Sequence, residues 1–416
     1  MAVSWRQTTI GELCDQGVAL IQTGPFGSQL HSYDYEPVGI PIIPTEAIGR
    51  RYIRTQGLPR ISPAKAQQLA RHIVHENDIL FARRGAQATG LSAIVRKEQE
   101  GWLCGSGAML LRVSSPTIDP QFLSFTLSSD SSIAWLKSRA VGAVMPNLND
   151  AVLRGLPLML PPFRDQRAIA AILGSLDDKI ELNHRMNETL EAFARALVKS
   201  WFVDFDPVRA KAEGWRKGKV AEIASLSRAS LNPSNFPNEM FEHYSIPAFD
   251  EGRLPKAETG DQIKSNKFLV TGDAILISRL NPRIPRVWFP SVSASRRSIC
   301  STEFLVASPQ AGCTREYLYA LFSSEVFLNE FATMVTGTSG SHQRVKAEFL
   351  TEMKAVIPSK VAIERFTKNV KPMFERIQKN IEQSQTLATL RDALLPKLMN
   401  GEMRVKDAEE VVGAAT

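Results

Sequence analysis

The chain has 416 residues, 44% of them apolar, which is enough to bury two cores of ordinary domain size. Its net charge of +7 permits an acidic partner such as nucleic acid, but the excess of Lys and Arg (50) over Asp and Glu (43) is too small to demonstrate one. No apolar run approaches the roughly 18 residues of a membrane span. The N-terminal residues have no signal-peptide core, and no P-loop or GxGxxG loop is present, which argues against membrane proteins and against nucleotide-binding enzymes of those classes.

The cysteine pattern excludes two further classes of protein. Cys14, Cys104, Cys300 and Cys313 show no CxxC spacing and have no histidine cluster near them. We therefore predict neither a zinc site nor a disulfide framework, and we expect a reduced, cytoplasmic location. No catalytic motif is found, so we expect a chain with no catalytic residue, no bound cofactor and no metal.

The first part of the chain, residues 1–162, has the pattern of a mixed domain. Short apolar runs among Gly and Pro turns predict strands near 40–43, 78–82 and 110–113, and a helix is predicted over 121–127. Strands and helices mixed in this way indicate an α+β domain.

Basic and amide side chains lie in the loops of this domain. Arginine can form two parallel hydrogen bonds to a phosphate or to a guanine edge, and Asn or Gln can do so with adenine. These side chains therefore have the chemistry for reading a DNA groove. An ordinary solvated surface remains the alternative for each of them. The predicted DNA-binding residues of this domain are Arg50, Arg51, Arg83, Arg84, Gln87, Asn147 and Asn149.

A long amphipathic helix is predicted from about Arg164 to Phe202, and it defines a spacer segment at 163–206. Pro161 and Pro162 stand before it as a start signal. Its apolar residues recur every three or four positions, as on one helix face. They are Ile169, Ile172, Leu176, Ile180, Met186, Leu190, Phe193, Leu197 and Trp201.

Residues 207–358 repeat the pattern of the first domain. Strands are predicted at 274–278 and 304–307 and a helix at 315–322. The loop 336–346 combines small residues, which allow close approach of the backbone, with polar side chains that could follow a phosphate backbone and present groups to bases. We expect Asn281 and Gln343 to contact bases and Arg297 and Lys346 to contact phosphates, with a plain surface loop as the alternative. The predicted DNA-binding residues of this domain are Arg279, Asn281, Arg283, Arg297, Ser341, His342, Gln343, Arg344 and Lys346.

A second amphipathic helix is predicted from about Lys360 to Asn400, within a segment at 359–402 that a tail at 403–416 follows. Pro372 and Pro396 lie inside it and predict one bend. Helices this long cannot be buried in one small core, so we predict that the two pack as an antiparallel coiled coil. The predicted pairing residues are Ile169, Leu173, Leu176, Ile180, Asn183, Leu190, Leu197, Val370, Ile377, Asn380, Leu387 and Leu394.

The two halves of the chain are therefore copies of one pattern. At a fixed register Asn183 falls on Asn380, Ile180 on Ile377 and Leu173 on Val370, whereas surface positions differ. Copies longer than a hundred residues exclude a solenoid, whose repeats run to roughly 20–50 residues. The sequence predicts an α+β fold in which two similar α+β domains are separated by two long antiparallel helices, with a pseudo-two-fold internal repeat.

These residues resemble a known family. The segment Leu160–Asn183, which reads LPPFRDQRAIAAILGSLDDKIELN, continues to the SWFVDF of Ser200–Phe205 and closely resembles the central conserved region of type I restriction-modification specificity subunits. The stretch Leu387–Gly401 resembles their distal conserved region, and Gly24–Leu30 resembles the opening of a target recognition domain. The resemblance covers nearly the whole chain.

The resemblance implies a function that the residues alone do not reveal. Each target recognition domain would read one half of a bipartite double-stranded DNA site, with the helices as a spacer. The expected partners are two methyltransferase subunits, which bind S-adenosylmethionine, and through them two restriction subunits that use ATP and Mg²⁺. Two alternatives stay open: a specificity subunit whose partner both methylates and cuts DNA, and a stand-alone DNA-binding scaffold or regulator.

Overall fold

The chain forms two compact units that share its long helices. The computed structural model describes residues 5–55, 57–85, 88–142, 147–204, 214–250, 252–292, 295–310, 312–336 and 343–415. The first unit comprises Met1–Ile180 and Gln385–Thr416, and the second comprises Glu181–Ser384. The long helices are Phe163–Val198 and Lys360–Met399. Each unit thus contains one α+β domain and one part of each long helix.

The domain of the first unit contains two four-stranded sheets. One is antiparallel in the order Ala19–Thr23, Ala108–Val113, Ile79–Ala82, Ser92–Ile94. The other has the order Tyr35–Glu36, Arg60–Ile61, Ile40–Ile43, Leu103–Cys104, and its last pair is parallel. A separate pair, Arg6–Thr9 with Pro157–Leu160, joins the two ends of the domain. Its helices are Ile10–Asp15, Pro63–Gln68, Pro120–Leu127, Asp130–Arg139 and Asp150–Arg154.

The domain of the second unit also contains two sheets, one of four strands and one of five. Its antiparallel sheet has the order Ala224–Ser227, Phe304–Pro309, Ile275–Ser278, Val287–Trp288. Its second sheet has the order Ser230–Leu231, Lys267–Leu269, Arg297–Cys300, Met240–Tyr244, Lys256–Thr259, and again contains one parallel pair. Two-stranded pairs join Arg216–Lys219 with Lys354–Ile357 and Val335–Thr336 with Arg344–Val345. Its helices are Ile246–Asp250, Arg315–Phe322, Glu325–Thr333 and Ala347–Glu352.

Equivalent helices of the two domains begin at equivalent caps. The side chains of Asp119 and Thr314 each accept a hydrogen bond from a backbone N–H of the first turn of Pro120–Leu127 and Arg315–Phe322. Such caps satisfy donors that the helix itself cannot pair. Ser129 and Ser324 do the same for the next helix of each domain. The repeat therefore extends to the residues that fix where each helix starts.

The central strand of each domain is buried on both faces. In the first domain Ile79 and Phe81 pack in the core beneath the helices, whereas Leu80 and Ala82 pack in the core shared with the second sheet. In the second domain Ile277 and Leu276 alternate in the same way. Because side chains alternate across a strand, one continuous apolar run serves two cores.

Each unit packs parts of the two long helices against each other and against its domain. In the first unit Ile169, Leu173, Leu176, Leu387 and Leu394 are buried in one core, and Ile180 packs against it. In the second unit Val370 and Ile377 are buried, and Leu190 and Leu197 pack against them. The start of each helix therefore lies with the end of the other, so the pair is antiparallel and the predicted fold class is confirmed.

A buried polar layer interrupts the apolar seam in the second unit. The Asn183 side-chain amide donates to the Asn380 carbonyl oxygen at 3.4 Å, to Gln383 Oε1 at 3.0 Å and to Ser384 Oγ at 3.2 Å. Asn380 Nδ2 donates to Asn187 Oδ1 at 2.8 Å. Asn183 and Asn380 are 0% and 1% exposed. Buried amides can bond in only one alignment, so this layer selects one helix register.

The long helices agree only in part with the sequence prediction. The second long helix is continuous through Pro372 and Pro396 from Lys360 to Met399. The first ends at Val198 and is followed by a π-helical turn, Lys199–Val203, instead of continuing as an α-helix to Phe202. The prediction that Phe193 lies in the buried stripe is wrong, because its side chain is 54% exposed.

The C-terminal segment contains a helix, Val405–Ala415, whose Ala408 and Val412 are buried in the core of the first unit. Within the described residues, no helix combines the length and the hydropathy that a membrane span requires.

Candidate nucleic-acid interface

In the first unit the end of the central strand meets a polar loop. Arg83 and Arg84 follow the strand Ile79–Ala82 directly. The Arg83 carbonyl accepts a hydrogen bond from Leu148 N–H at 2.9 Å. The backbones of Arg84 and Asn147 form an isolated antiparallel β-bridge. We call residues 83–85 together with 141–142 and 147–149 the first strand-end junction. The structure thus brings Asn147 to Arg83, which lies 64 residues before it in the sequence, and to the adjacent Arg84.

The side chains of this junction differ in their freedom. Arg83 Nε donates to Asn147 Oδ1 at 3.0 Å and to the Leu148 carbonyl at 2.9 Å, so its guanidinium is half-buried and holds the loop. Burial and the neighbouring Arg84 cation lower the pKa of Arg83. Arg84 is exposed, and within the described part of the chain no carboxylate pairs with it. Two adjacent cations with one left free can attract a phosphate.

The second unit contains the same junction. Arg279 follows the strand Ile275–Ser278, and its carbonyl accepts from Val345 N–H at 3.0 Å. The backbones of Leu280 and Arg344 form an isolated antiparallel β-bridge, and Asn281 N–H donates a hydrogen bond to the Gln343 carbonyl at 3.0 Å. We call residues 279–283 together with 335–336 and 343–346 the second strand-end junction. Arg279 thus matches Arg83, and Val345 matches Leu148.

The residues of the second junction also divide into held and free groups. Arg344 forms a two-pronged ion pair with Glu303, with Nε–Oε2 and Nη2–Oε1 distances of 2.9 Å each. Asn281 has φ 47°, a left-handed conformation that Asn tolerates better than most residues. Arg283 and Lys346 are exposed, and Gln343 is half-exposed. Arg283, Lys346 and Gln343 therefore remain available to a ligand.

Two residues of the first domain that were expected to contact DNA bind other residues of the chain instead. Arg50 donates to the Ser128 carbonyl at 3.0 Å and pairs with Asp130 at 2.9 Å. Arg51 is only 8% exposed and is ion-paired with Asp177, and its burial lowers its pKa to about 10. A buried guanidinium cannot reach DNA, so the assignment of Arg51 as a DNA contact is corrected to an internal ion pair.

Two further predicted contacts also have structural partners. Arg297 begins a strand of the second sheet, not of the junction, where Nε lies 2.6 Å from Glu239 Oε1 and the guanidinium lies 4.2 Å above the Phe236 ring. Asn149 caps the helix Asp150–Arg154, accepting from Val152 N–H at 2.8 Å. Gln87, Ser341 and His342 were also predicted to contact DNA, and they lie outside the described residues.

Sequence reasoning missed one exposed surface of the first domain. Phe26, Tyr33 and Val38 are 58%, 79% and 78% exposed, and they follow the close approach of Gly24 to Gly105. A Cβ at Gly24 would lie 1.9 Å from the Gly105 carbonyl oxygen, so only glycine fits there. The GPFGS sequence that begins at Gly24 therefore has a steric cause. Among the described residues, no group of three or more His, Cys, Asp or Glu side chains could hold a metal ion.

The chain is similar in sequence to several known proteins. Residues 5–192 match a family model described as the type I restriction modification DNA specificity domain. The type I restriction enzyme MjaIX specificity subunit of Methanocaldococcus jannaschii is 26% identical, over 69% of this chain and 70% of its own length. The type I restriction enzyme HindI specificity subunit of Haemophilus influenzae is 24% identical, over 80% of this chain and 88% of its own. A solved type I restriction-modification S subunit from M. genitalium is 16% identical, covers 96% of each chain, and has a TM-score of 0.48.

Proposed function

We propose that this chain is a DNA specificity subunit of a type I restriction-modification system and that it reads a bipartite DNA site with its two strand-end junctions. The duplicated junction is the observation that carries the proposal. In each unit an Arg-containing strand end is hydrogen-bonded to a polar loop, through Arg83 with Leu148 and Arg279 with Val345. Two copies of one reading surface suit a site with two half-sites.

The chemistry of the free side chains supports this assignment. Arg84, Arg283 and Lys346 are exposed cations, which can neutralise phosphates or fork onto guanine. Gln343 belongs to the second junction, as do Arg283 and Lys346, and has an amide that can pair with adenine. The loops around these side chains also supply backbone groups for positioning on the duplex.

The partners follow from the same family assignment. We propose that two methyltransferase subunits bind the long helices and that two restriction subunits join through them. The exposed apolar residues Leu182 and Phe193, 51% and 54% exposed, support a protein-binding face. They are eleven residues apart, close to three turns at 3.6 residues per turn, so they lie on one side of the helix.

The chemistry of modification and cleavage would belong to those partners. S-adenosylmethionine would bind the methyltransferase subunits, and ATP and Mg²⁺ the restriction subunits, while this chain supplies recognition and assembly. Because the site is DNA, we place the complex in the cytoplasm.

Substitution of one free arginine in each junction tests the proposal. Arg84→Ala and Arg283→Ala, each in the assembled methyltransferase, should each weaken binding to one half-site only. A lost base contact should cost about 1–3 kcal/mol and relax one position, whereas a lost phosphate contact should weaken all sequences and flatten the salt dependence by about one unit.

Controls lie on the same units but away from the junctions. Lys97 is exposed on a 3₁₀ turn of the first unit, and Lys354 is exposed on an outer strand of the second. Lys97→Ala and Lys354→Ala should leave both half-sites unchanged. Wild-type affinity and specificity in both junction variants would place DNA reading elsewhere.

A further inference from the structure

Two arginines share a rare backbone conformation. Among the described residues, the non-glycine positions with positive φ are Arg51 at 73°, Asn77 at 70°, Arg253 at 59° and Asn281 at 47°. Left-handed backbone is unfavourable for a residue with a long side chain and persists only where the surroundings hold it. Arg51 belongs to the first unit and Arg253 to the second.

In the first unit, Arg51 reaches from its domain to the long helices. Its guanidinium lies 3.4 Å from the centroid of the Phe125 ring and is ion-paired with Asp177 of the first long helix. Arg391 of the second long helix contacts the same carboxylate, with an Nη1–Oδ1 distance of 2.7 Å. Asp177 and Arg391 side chains are each 12% exposed. One buried carboxylate therefore joins the domain to both helices.

In the second unit, Arg253 makes an equivalent connection. Its Nη1 donates to Glu191 Oε1 of the first long helix at 2.6 Å, and its guanidinium lies 4.9 Å from the Phe249 ring. Its backbone N–H donates to the Ala248 and Phe249 carbonyls at 3.1 Å, which closes the helix Ile246–Asp250. The Glu191 side chain is 13% exposed. Each unit thus has an arginine with left-handed backbone conformation. Its side chain stacks on a phenylalanine ring and forms an ion pair with a nearly buried carboxylate of the first long helix.

We propose that Arg51 and Arg253 are positioning residues that fix the orientation of each recognition domain on the helices of its own unit. A domain held at one angle presents its strand-end junction to DNA at one angle. Arginine suits this role because its planar fork bonds a carboxylate in only a few directions. Neither ion pair is expected to add much net stability, because desolvation offsets the attraction in the buried Arg51–Asp177 pair and solvent screens the Arg253–Glu191 pair, whose arginine side chain is 41% exposed. The main contribution of both pairs is therefore to fix an orientation.

The proposal rests on the assignment of one half-site to each junction, and its test uses both half-sites as readouts. We would assemble the methyltransferase with Arg51→Met or Arg253→Met and measure binding to the cognate site and to sites with single base-pair changes in either half. Arg51→Met should lower discrimination in the half-site of the first domain about tenfold, the size of one lost base contact, and spare the other. Arg253→Met should give the reverse pattern.

The chain offers matched controls. Arg96, which is half-buried, pairs with the exposed Asp178, next to Asp177, at 2.9 Å, and Arg228 pairs with Glu348 at 2.6 Å, where both side chains are exposed. Arg96→Met and Arg228→Met should leave both half-sites unchanged. Folding should survive the test variants, because Asp177 keeps Arg391 and Glu191 keeps Arg195 at 3.5 Å. If Arg51→Met does not assemble, Arg51→Lys, which keeps the positive charge beside Asp177 but not the planar fork, replaces it with the same expected pattern.

The possible outcomes separate a positioning role from a structural one. Loss of a merely stabilising contact would reduce the amount of active complex and weaken both half-sites alike, which would overturn the proposal. Unchanged discrimination in an assembled variant would also overturn it. If Arg84→Ala and Arg283→Ala are half-site-specific while the Arg51 and Arg253 variants are not, the positioning role fails alone. If the junction variants have no effect either, the proposed function itself fails.

Discussion

At the scale of single residues, the role of an arginine in this protein depends on whether a carboxylate lies within reach. Arg84 and Arg283 are exposed, whereas Arg344 and Arg51 are bound to Glu303 and Asp177. The sequence could predict that arginines follow the central strands. It could not predict their partners, because Asp177 is 126 residues from Arg51 and only the fold brings the two together.

The buried imidazole of His72 predicts a pH dependence of stability. His72 is 1% exposed, and burial, with a smaller effect of Arg71, lowers its pKa. The unfolded chain binds a proton near pH 6.5 and the folded chain resists it, so the free energy of unfolding should fall as the pH drops below about 6.5, by at most about 1.4 kcal/mol per pH unit for this group.

Urea unfolding at pH 7.5 and 5.5 measures this effect. His72→Gln keeps a group that can accept the hydrogen bond from Arg71 Nε, seen at 3.0 Å, but does not titrate. The wild type should lose more stability than His72→Gln between the two pH values. Equal losses would show that His72 does not contribute.

At the scale of the elements, periodicity predicted the existence of the helices better than their faces and ends. The bounds of the second long helix agree with the prediction to within a residue, but Phe193, which the pattern places in the apolar stripe of the first, is exposed. A helix repeat of 3.6 residues lets a second apolar stripe lie close to the first, and only the partner helix decides which is buried. The helix Val405–Ala415 was not predicted, although Val405, Ala408 and Val412 have helical spacing, because the run is short.

The exposed apolar side chains of Leu182 and Phe193 predict an effect on assembly. Leu182→Gln and Phe193→Ser should reduce co-purification of the methyltransferase subunit, because they remove apolar area from the proposed docking face. Folding should be unaffected, since both side chains are more than half exposed. The exposed His184→Gln is a control on the same helix. Normal assembly with both stripe variants would mean that the methyltransferase binds elsewhere.

At the scale of the whole molecule, the chain is an internal repeat, and each of its two units contains one part of each long helix. The duplication could be predicted because apolar positions such as Leu173 and Val370 coincide in both copies. The division at Ile180 and Ser384 could not, because it depends on which part of each helix packs on which domain. The common strand order of the two four-stranded antiparallel sheets could not be predicted from the sequence either, since strand pairing is non-local.

The central claim is that each domain reads its own half of the DNA site, and an exchange of one domain tests it most directly. Residues 207–357 would be replaced by the equivalent segment of a relative, and the methylated sites in host DNA mapped by long-read sequencing. The account predicts a new second half-site and an unchanged first half-site. A change in both half-sites, or in neither, would contradict it.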